Sequence, residues 1–272
     1  MSNASLRAGV RPKKRYGQHF LQPEWADKVV TAIDPQPNDR FLEIGPGPGV
    51  LTLRLAPRVA HLTAIEIDPE MVRLLGPRLP QNVTLIEQDF LETAIEPLLE
   101  VSTPLRVAGN LPYNVSSPIL FRLIEAHLAH GRVADATLML QREVAERIDA
   151  APGTKAYGVL SIFVQLHADV RRVLALPPGA FRPAPRVHSA VLRFSFRPPA
   201  VRLVDERVFG AMVRSMFTQR RKTLTNALRG FAMSRGRESG AVLGAAGIDP
   251  ARRPETLQLN ELARLADIFT SV

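Results

Sequence analysis

The sequence predicts an α/β fold, in which a mostly parallel sheet is covered by helices on both faces and is followed by a small helical domain. Short apolar runs alternate with helical patterns from residue 23 onward, the order typical of a parallel sheet. Each predicted strand contains a short run of apolar residues, as strands buried on both faces do. Beyond "RPP" (197–199) only helical patterns remain. We therefore expect a basic N-terminal arm over 1–22, an α/β domain over 23–199 and a helical domain over 200–272.

Local patterns predict the individual elements. The first helix is expected over 23–33, where a proline and an acid open an amphipathic segment. The predicted strands are "RFLEIG" (40–45), "HLTAIEID" (61–68), "VTLIEQD" (83–89), "LRVAGN" (105–110) and "ATLMLQ" (136–141). Helices over 49–58, 69–79 and about 116–130 connect them. The runs "RRVLALP" (171–177) and "SAVLRFSF" (189–196) predict a final antiparallel pair at one edge of the sheet. The last helices are expected over 205–217, 220–230, 237–246 and 260–271.

Composition narrows the class of protein. A hydrophobic fraction of 46% over 272 residues is enough for a sizeable core. The sequence contains no run of 18 apolar residues, so we expect no membrane-spanning helix. We also expect no secretory signal. The chain has no cysteine, which excludes disulfides, thiolate nucleophiles and Cys-ligated zinc, and suits a cytoplasmic protein. The six histidines show no ligand spacing, so we predict no metal site.

Positive charge is concentrated at the two ends of the chain. Residues 1–22 hold five basic and no acidic residues, and residues 201–272 hold twelve basic and seven acidic ones. Residues 23–200 are almost neutral, with eighteen basic and nineteen acidic residues. This asymmetry favours a polyanionic partner, most often nucleic acid, over a merely solvated surface. The candidate contacts are Arg11, Lys13, Lys14 and Arg15 in the arm, and Arg220, Arg221 and Lys222, which we expect to begin a helix whose N-terminus adds to their charge.

A glycine-rich turn, "EIGPGPG" (43–49), lies between the first strand and the next helix. A Walker loop is excluded, because it needs Gly-Lys-Ser/Thr and this sequence has "GVL" (49–51) at that place. A dinucleotide fold would need G-x-G-x-x-G, whereas Gly45, Gly47 and Gly49 alternate. Glu43 precedes the turn, and an acid there repels a pyrophosphate but suits a cationic ligand.

Two further acids stand where the next two strands are expected to end. Glu66 is placed to accept both hydroxyls of a ribose, and Asp89 to accept a hydrogen bond from an adenine amino group. Together with Glu43 they indicate S-adenosylmethionine, which carries an ammonium and a sulfonium and no phosphate. NAD is the weaker alternative, and each acid alone could be a solvated strand end.

The stretch "GNLPYN" (109–114) follows the fourth predicted strand. These residue types suit the methylation of an exocyclic adenine amine. Such an amine is a poor nucleophile because its lone pair is delocalised into the ring. Two acceptors around its N–H groups, the side-chain oxygen of Asn110 and the carbonyl of Leu111, would free that lone pair. Pro112 restricts the residue before it to extended geometry, and Tyr113 offers a face for an unstacked base. The structural alternative is an Asx-Pro turn with a packed tyrosine.

These motifs resemble those of the ribosomal RNA adenine N6,N6-dimethyltransferases. Four more segments are similar to the family's: "RYGQHFL" (15–21), "FRPAPRVHSAV" (181–191), "FTQRRKTLTNAL" (217–228) and "RPETL" (253–257). The last two look like the small-subunit branch and unlike the antibiotic-resistance branch that methylates large-subunit rRNA. The resemblance covers roughly residues 13–270, and His19 departs from the family's usual Asn.

The resemblance implies a Rossmann-like, seven-stranded class I methyltransferase sheet and dimethylation of two adjacent adenosines near the 3′ end of 16S rRNA. It implies a cofactor site formed by Gln18, His19, Leu21, Glu43, Gly45, Gly47, Gly49, Glu66, Ile67, Asp89, Phe90 and Asn110. Tyr113 and Phe181 would lie near the target base. The expected partner is the small ribosomal subunit or its precursor. We expect the protein to act as a monomer and to bind no membrane. A DNA adenine methyltransferase, a non-catalytic ribosome assembly factor and an NAD oxidoreductase remain as alternatives.

Overall fold

The computed structural model describes residues 12–13, 16–112 and 115–270. The chain forms two compact units. The first extends to Ala145 and resumes over Asp169–Phe196, and the second comprises Glu146–Ala168 and continues from Arg197. The helical segment before Ala168 therefore belongs with the C-terminal helices.

The first unit is built on a seven-stranded sheet. Its strands, with two short ones outside it, are β1 (Phe20–Leu21), β2 (Arg40–Ile44), β3 (His61–Glu66), β4 (Val83–Glu87), β5 (Leu105–Asn110), β6 (Val133–Gln141), β7 (Ala168–Leu176), β8 (Phe181–Arg182) and β9 (Ser189–Phe196). The order in the sheet is β4-β3-β2-β5-β6-β9-β7. Strands β2 to β6 pair in parallel, and β9 pairs antiparallel with β6. The predicted seven-stranded α/β sheet is confirmed.

Helices connect the strands and form the second unit. They are α1 (Pro23–Ile33), α2 (Thr52–Leu55), α3 (Pro69–Leu75), α4 (Glu96–Leu99), α5 (Ser116–His130), α6 (Arg142–Ile148), α7 (Val159–His167), α8 (Glu206–Thr218), α9 (Leu224–Ser234), α10 (Ser239–Ala245) and α11 (Leu259–Ile268). Helix α1 shows why such segments fold: Pro23 starts it, and its apolar face, spaced three and four residues apart, is buried. In the described part of the chain, no helix has both the length and the apolar character needed to cross a bilayer.

The strand order creates the crevice in which the site lies. From β2 the chain proceeds to β3 and β4 on one side, whereas β5 and β6 lie on the other side. The connections after β2 and β5 therefore diverge, and the gap at their carboxyl ends is where ligands bind in open α/β sheets. The glycine-rich turn follows β2, and Asn110 ends β5.

The C-terminal unit is held together by polar contacts as well as by apolar packing. Asp205 caps α8 by accepting the N–H groups of Arg207 and Val208. The buried His167 ring at the end of α7 lies 2.8 Å from a carboxylate oxygen of Glu206 on α8. These contacts explain why α7 groups with the C-terminal helices.

Several boundaries differ from the sequence-based expectations. The helix expected over 49–58 is four residues long, α2, followed by a 3₁₀ turn over Ala56–Arg58 that contains a proline. Strand β4 ends at Glu87, so Asp89 stands two residues beyond it. Helix α9 begins at Leu224, so the three basic residues 220–222 lie in the preceding turn and not in the helix. Strands β1 and β8 form an unexpected two-stranded antiparallel sheet.

Candidate active site

A cavity of about 290 Å³ opens at the carboxyl ends of the central strands. Its volume is near the lower end of the range of small-molecule sites, roughly 300–1,000 Å³. The expected residues that line it are Gln18, Gly45, Gly47, Glu66, Ile67, Asp89, Phe90, Asn110 and Pro112. The expected residues that do not line it are His19, Leu21, Glu43, Gly49, Leu111 and Phe181. The sequence analysis did not assign Tyr16, Ile44, Ile65, Gln88, Leu91, Val115 and Ile119, which complete the wall.

Glu66 fixes the glycine-rich turn. Its Oε2 accepts the N–H of Gly47 at 2.8 Å, and its Oε1 accepts the N–H of Asp68 at 2.9 Å. Burial raises the pKa of Glu66, and these backbone hydrogen bonds oppose the rise. A carboxylate oxygen has capacity for a second hydrogen bond, so Glu66 can hold the turn and still accept from a ligand hydroxyl.

Glu43 lies beneath the turn and is 1% exposed. Burial raises its pKa to about 7, contacts with Thr52 oppose this rise, and the nearby charge of Glu66 adds to it. Among the described residues, no group donates to its Oε2. The predicted direct contact with a ligand therefore has no support in the cavity wall, where Glu43 is absent.

Asp89 reaches the cavity from the loop after β4. Its Oδ1 accepts the N–H of Leu91 at 2.8 Å, and its carbonyl accepts the hydroxyl of Thr93 at 2.7 Å. These two contacts fix the loop, so the carboxylate stands at the cavity wall beside Phe90.

Asn110 has a defined orientation. Its Nδ2 donates to the carbonyl of His19 at 2.7 Å, which assigns Oδ1 as the acceptor end of the amide. The next residue is held too, since the N–H of Leu111 donates to the carbonyl of Met139. Because the contact to His19 is made by its backbone, it does not depend on the side chain that replaces the family's Asn. Tyr113, the expected stacking residue, lies outside the described residues.

Two glycines close in sequence to residues of the cavity wall allow close packing. At Gly109 an added Cβ would come within 2.7 Å of the carbonyl oxygen of Ile44. At Gly49, where φ is +85°, a Cβ would come within 2.3 Å of the Leu75 side chain. Only glycine therefore allows the chain to pass at these two positions.

The N-terminal strap, residues 16–22, covers one side of the cavity. Tyr16 and Gln18 contribute to the wall, and the strap continues into β1, which pairs with β8. In that pair Leu21 stands opposite Phe181, and both are buried. The role of Phe181 beside a target base stays a prediction.

The basic residues expected to bind RNA fall into three groups. Arg11, Lys14 and Arg15 lie outside the described residues. Lys13 forms ion pairs with Asp68 and Glu70. In the C-terminal unit, Arg220 pairs with Glu255 and donates to the carbonyl of Thr154, whereas Arg221 and Lys222 are exposed. No group of three or more His, Asp or Glu residues in the described part of the chain could hold a metal ion.

Comparisons with known proteins show the family. The family described as "Ribosomal RNA adenine dimethylase" matches residues 9–270. A protein named ribosomal RNA small subunit methyltransferase A from Syntrophotalea carbinolica is 45% identical, over 95% of this chain and 97% of that protein. The protein of the same name from Geobacter metallireducens is 42% identical, over 95% of each chain.

Solved structures give the same result for the fold. The chain superposes on a dimethyladenosine transferase from Plasmodium falciparum with a TM-score of 0.75 and 25% identity, over 93% of this chain and 98% of that one. It also superposes on the 23S rRNA methyltransferase ErmE with a TM-score of 0.64 and 24% identity, over 93% of this chain and all of that one, which bears on the fold alone. With the family match over nearly the whole sequence, the chain belongs to the ribosomal RNA adenine dimethylase family.

Proposed function

We propose that the protein uses S-adenosylmethionine to dimethylate N6 of two adjacent adenosines near the 3′ end of 16S rRNA, in the small ribosomal subunit or its precursor. The observation that carries the proposal is the fixed amide of Asn110 beside Pro112 at the cavity wall. The two relatives described above, both named small subunit methyltransferases, support the choice of rRNA.

The charge of the cavity supports the donor. Its described wall contains the carboxylates of Glu66 and Asp89 and no Lys, Arg or His side chain. A pyrophosphate would meet two acids and no counter-charge there, whereas an ammonium and a sulfonium would be stabilised. The aliphatic wall of Ile44, Ile67 and Ile119 suits an adenine ring or a methylene chain. These features favour S-adenosylmethionine over NAD.

The chain's own residues prepare the nitrogen for transfer. The donor supplies an electrophilic methyl group. Asn110 and the carbonyl of Leu111 accept the two N–H groups of the adenine amine and draw its lone pair out of conjugation with the ring. The N–H of Leu111 is anchored to β6, so its carbonyl keeps its place. Catalysis is then positioning and electrostatic stabilisation, and the proton leaves to water after the methyl group has moved.

The C-terminal unit supplies a surface for the RNA backbone. The exposed Arg221 and Lys222 lie in the turn before α9, and Lys222 lines an open groove along that helix with Asn226, Arg229 and Met233. Separated cations of this kind contact phosphates and give binding that weakens with salt. A monomeric state and a cytoplasmic location stay predictions.

The decisive test uses tritiated S-adenosylmethionine and small ribosomal subunits from a strain that lacks the activity. Nucleoside mass spectrometry should find N6,N6-dimethyladenosine at adjacent sites near the 3′ end. Tight donor binding without transfer to RNA, but with transfer to duplex DNA, would favour a DNA methyltransferase. Binding to subunits without donor binding would favour an assembly factor.

Replacing Asn110 with alanine tests the assigned residue. Turnover should fall by on the order of 10²–10³, the loss typical of removing one hydrogen-bonding group aimed at the reacting centre. Donor affinity, measured by equilibrium dialysis, should change much less, because Glu66 and Asp89 remain. An Asn110→Ala variant with the wild-type kcat would contradict the role.

A further inference from the structure

The N-terminal strap is attached at one end by backbone pairing. Strand β1 pairs with β8, and Nδ1 of His19 lies 2.8 Å from the carbonyl oxygen of Pro183. Tyr16 and Gln18, nearer the N-terminus of the strap, have no strand pairing of their own, yet both form cavity wall. The N–H of Tyr16 donates to the carbonyl of Lys13 at 3.1 Å, and Gln18 is held through its side chain, so contacts outside β1 hold this end of the strap.

Lys13 supplies those contacts. Its Nζ lies 2.6 Å from Oδ1 of Asp68 and 2.9 Å from Oε2 of Glu70. Its backbone N–H donates to Oε1 of Gln18 at 2.8 Å, and Nε2 of Gln18 donates to Oδ2 of Asp68 at 3.0 Å. The three residues are thus joined pairwise, Lys13 to Gln18 through the Lys13 backbone and the other two pairs through side chains, and we call Lys13, Gln18 and Asp68 the strap latch.

The latch is connected to the donor site. The side chain of Asp68 is 0% exposed and caps α3 by accepting the N–H of Glu70. The backbone N–H of Asp68 donates to Glu66, which lines the cavity and also holds Gly47. Burial opposes ionisation of Asp68, but the hydrogen bonds from Lys13 and Gln18 prevail and lower its pKa. Without Lys13 the strap would have to pack over a buried carboxylate that has lost its cation, which is unfavourable.

We propose that Lys13 is a positioning residue that holds the strap against Asp68 and thereby sets how long S-adenosylmethionine stays in the site. The inference rests on the proposed function. Placing two methyl groups on each of two adenosines requires repeated exchange of donor for spent product, so the rate of donor release bears directly on this reaction. The proposal also assigns Lys13 to the donor site and not to RNA phosphates. Arg11, Lys14 and Arg15 of the basic arm stay predicted RNA contacts.

The test compares Lys13→Met, Lys13→Arg and Asp68→Asn with a control, Lys28→Met. Lys28 is an exposed lysine of α1 in the same unit, so the control removes the same charge away from the cavity. Asparagine at position 68 keeps an acceptor for Gln18 and for the helix cap, so this variant removes chiefly the charge. Two readouts are used: dissociation of tritiated S-adenosylmethionine into an excess of unlabelled compound, and amide hydrogen exchange of residues 16–21 in the ligand-free protein.

We expect Lys13→Met and Asp68→Asn to release the donor about five-fold faster, the upper end of what a partly exposed ion pair contributes. Exchange over residues 16–21 should accelerate in both variants. Lys13→Arg should stay within about two-fold of the wild type, and Lys28→Met should match it. The salt dependence of RNA binding should be unchanged by Lys13→Met, since no phosphate contact is lost.

Three results would overturn the proposal: wild-type dissociation and exchange rates in Lys13→Met, equal acceleration in Lys28→Met, or a salt slope reduced by about one in Lys13→Met, which would assign this lysine to RNA. Failure of the latch is distinguishable from failure of the proposed function. If the wild-type protein binds the donor tightly and Lys13→Met does not change donor dissociation or amide exchange, only the latch is refuted. A wild-type protein that binds no donor refutes both.

Discussion

Replacing Glu43 with glutamine should stabilise the first unit at alkaline pH and leave it nearly unchanged at acid pH. Glu43 is fully buried, and its pKa rises from 4.5 to about 7 on folding. Between these two values the folded protein binds a proton that the unfolded chain does not bind, so the contribution of Glu43 to stability falls as the pH rises through this window. Above pH 7 the full cost of a buried carboxylate is present.

The magnitude follows from the shift. At 1.36 kcal/mol per pKa unit, the carboxylate costs roughly 3 kcal/mol at pH 8.5 relative to pH 4. Glutamine is neutral throughout and resembles the protonated acid in shape. The difference in unfolding free energy between Glu43→Gln and the wild type should therefore be within about 1 kcal/mol near pH 4, the size of one altered hydrogen bond, and approach roughly 3 kcal/mol at pH 8.5.

The assay is urea unfolding followed by fluorescence of Trp25, the single tryptophan, which lies on α1 in the same unit as Glu43. A probe within the first unit is needed, because the two compact units need not unfold together. Glu100→Gln, on an exposed glutamate of the same unit, controls for the chemical change itself. A difference between Glu43→Gln and the wild type that stays constant from pH 4 to 8.5 would refute the reasoning, because it would mean that Glu43 ionises as an exposed acid does.

Two further predictions follow from packing and from charge. Gly109→Ala should destabilise the first unit by about 1–3 kcal/mol and impair methyl transfer, because its Cβ meets a backbone carbonyl, whereas Gly76→Ala, which meets nothing within 4 Å, should do neither. Urea unfolding and turnover measure both variants, and equal stability would contradict the close approach of β2 and β5. Replacing Arg221 and Lys222 with alanine should reduce the slope of log K against log salt for RNA by up to about two, since both are exposed. An unchanged slope would remove them from the RNA surface.

The sheet could be predicted because its evidence is local. Strands β2, β3 and β5 each contain adjacent apolar residues, a signal of burial on both faces that does not depend on their partners. Strands β1 and β8 could not be predicted, because each has two residues and their partners are about 160 residues apart in the chain. No periodicity can develop over two positions.

The site could be predicted at its polar residues and not at its apolar ones. Glu66 and Asn110 stand out as polar residues at the last positions of β3 and β5, Asp89 stands out in the loop after β4, and all three line the cavity. Ile44 and Ile119 line it equally, but an isoleucine on a wall has the same signature as an isoleucine in the core. Glu43 is the opposite case, because it was expected in the site but is buried beneath the cavity wall. Its position in the motif is the same whether the acid lies in the wall or beneath it.

The start of α9 shows a signal that was present in the sequence. Thr223 directly precedes the apolar positions of the helix, and threonine is a favoured residue at the N-cap. Of the basic run before it, Arg220 is explained by a tertiary contact, because it reaches Glu255, 35 residues further along the chain. A count of charges cannot reveal such a partner.

The same reasoning connects the glycine-rich turn to the N-terminal strap. Glu66 is hydrogen-bonded to Gly47 on one side and to the backbone of Asp68 on the other. Asp68 in turn holds Gln18 and Lys13. Each oxygen of Glu66 has capacity for a second hydrogen bond, so a ligand hydroxyl can donate to the carboxylate while both backbone contacts remain. In the proposed function the ribose hydroxyls of S-adenosylmethionine donate to this acid, and the same hydrogen-bond network extends through Asp68 to the strap.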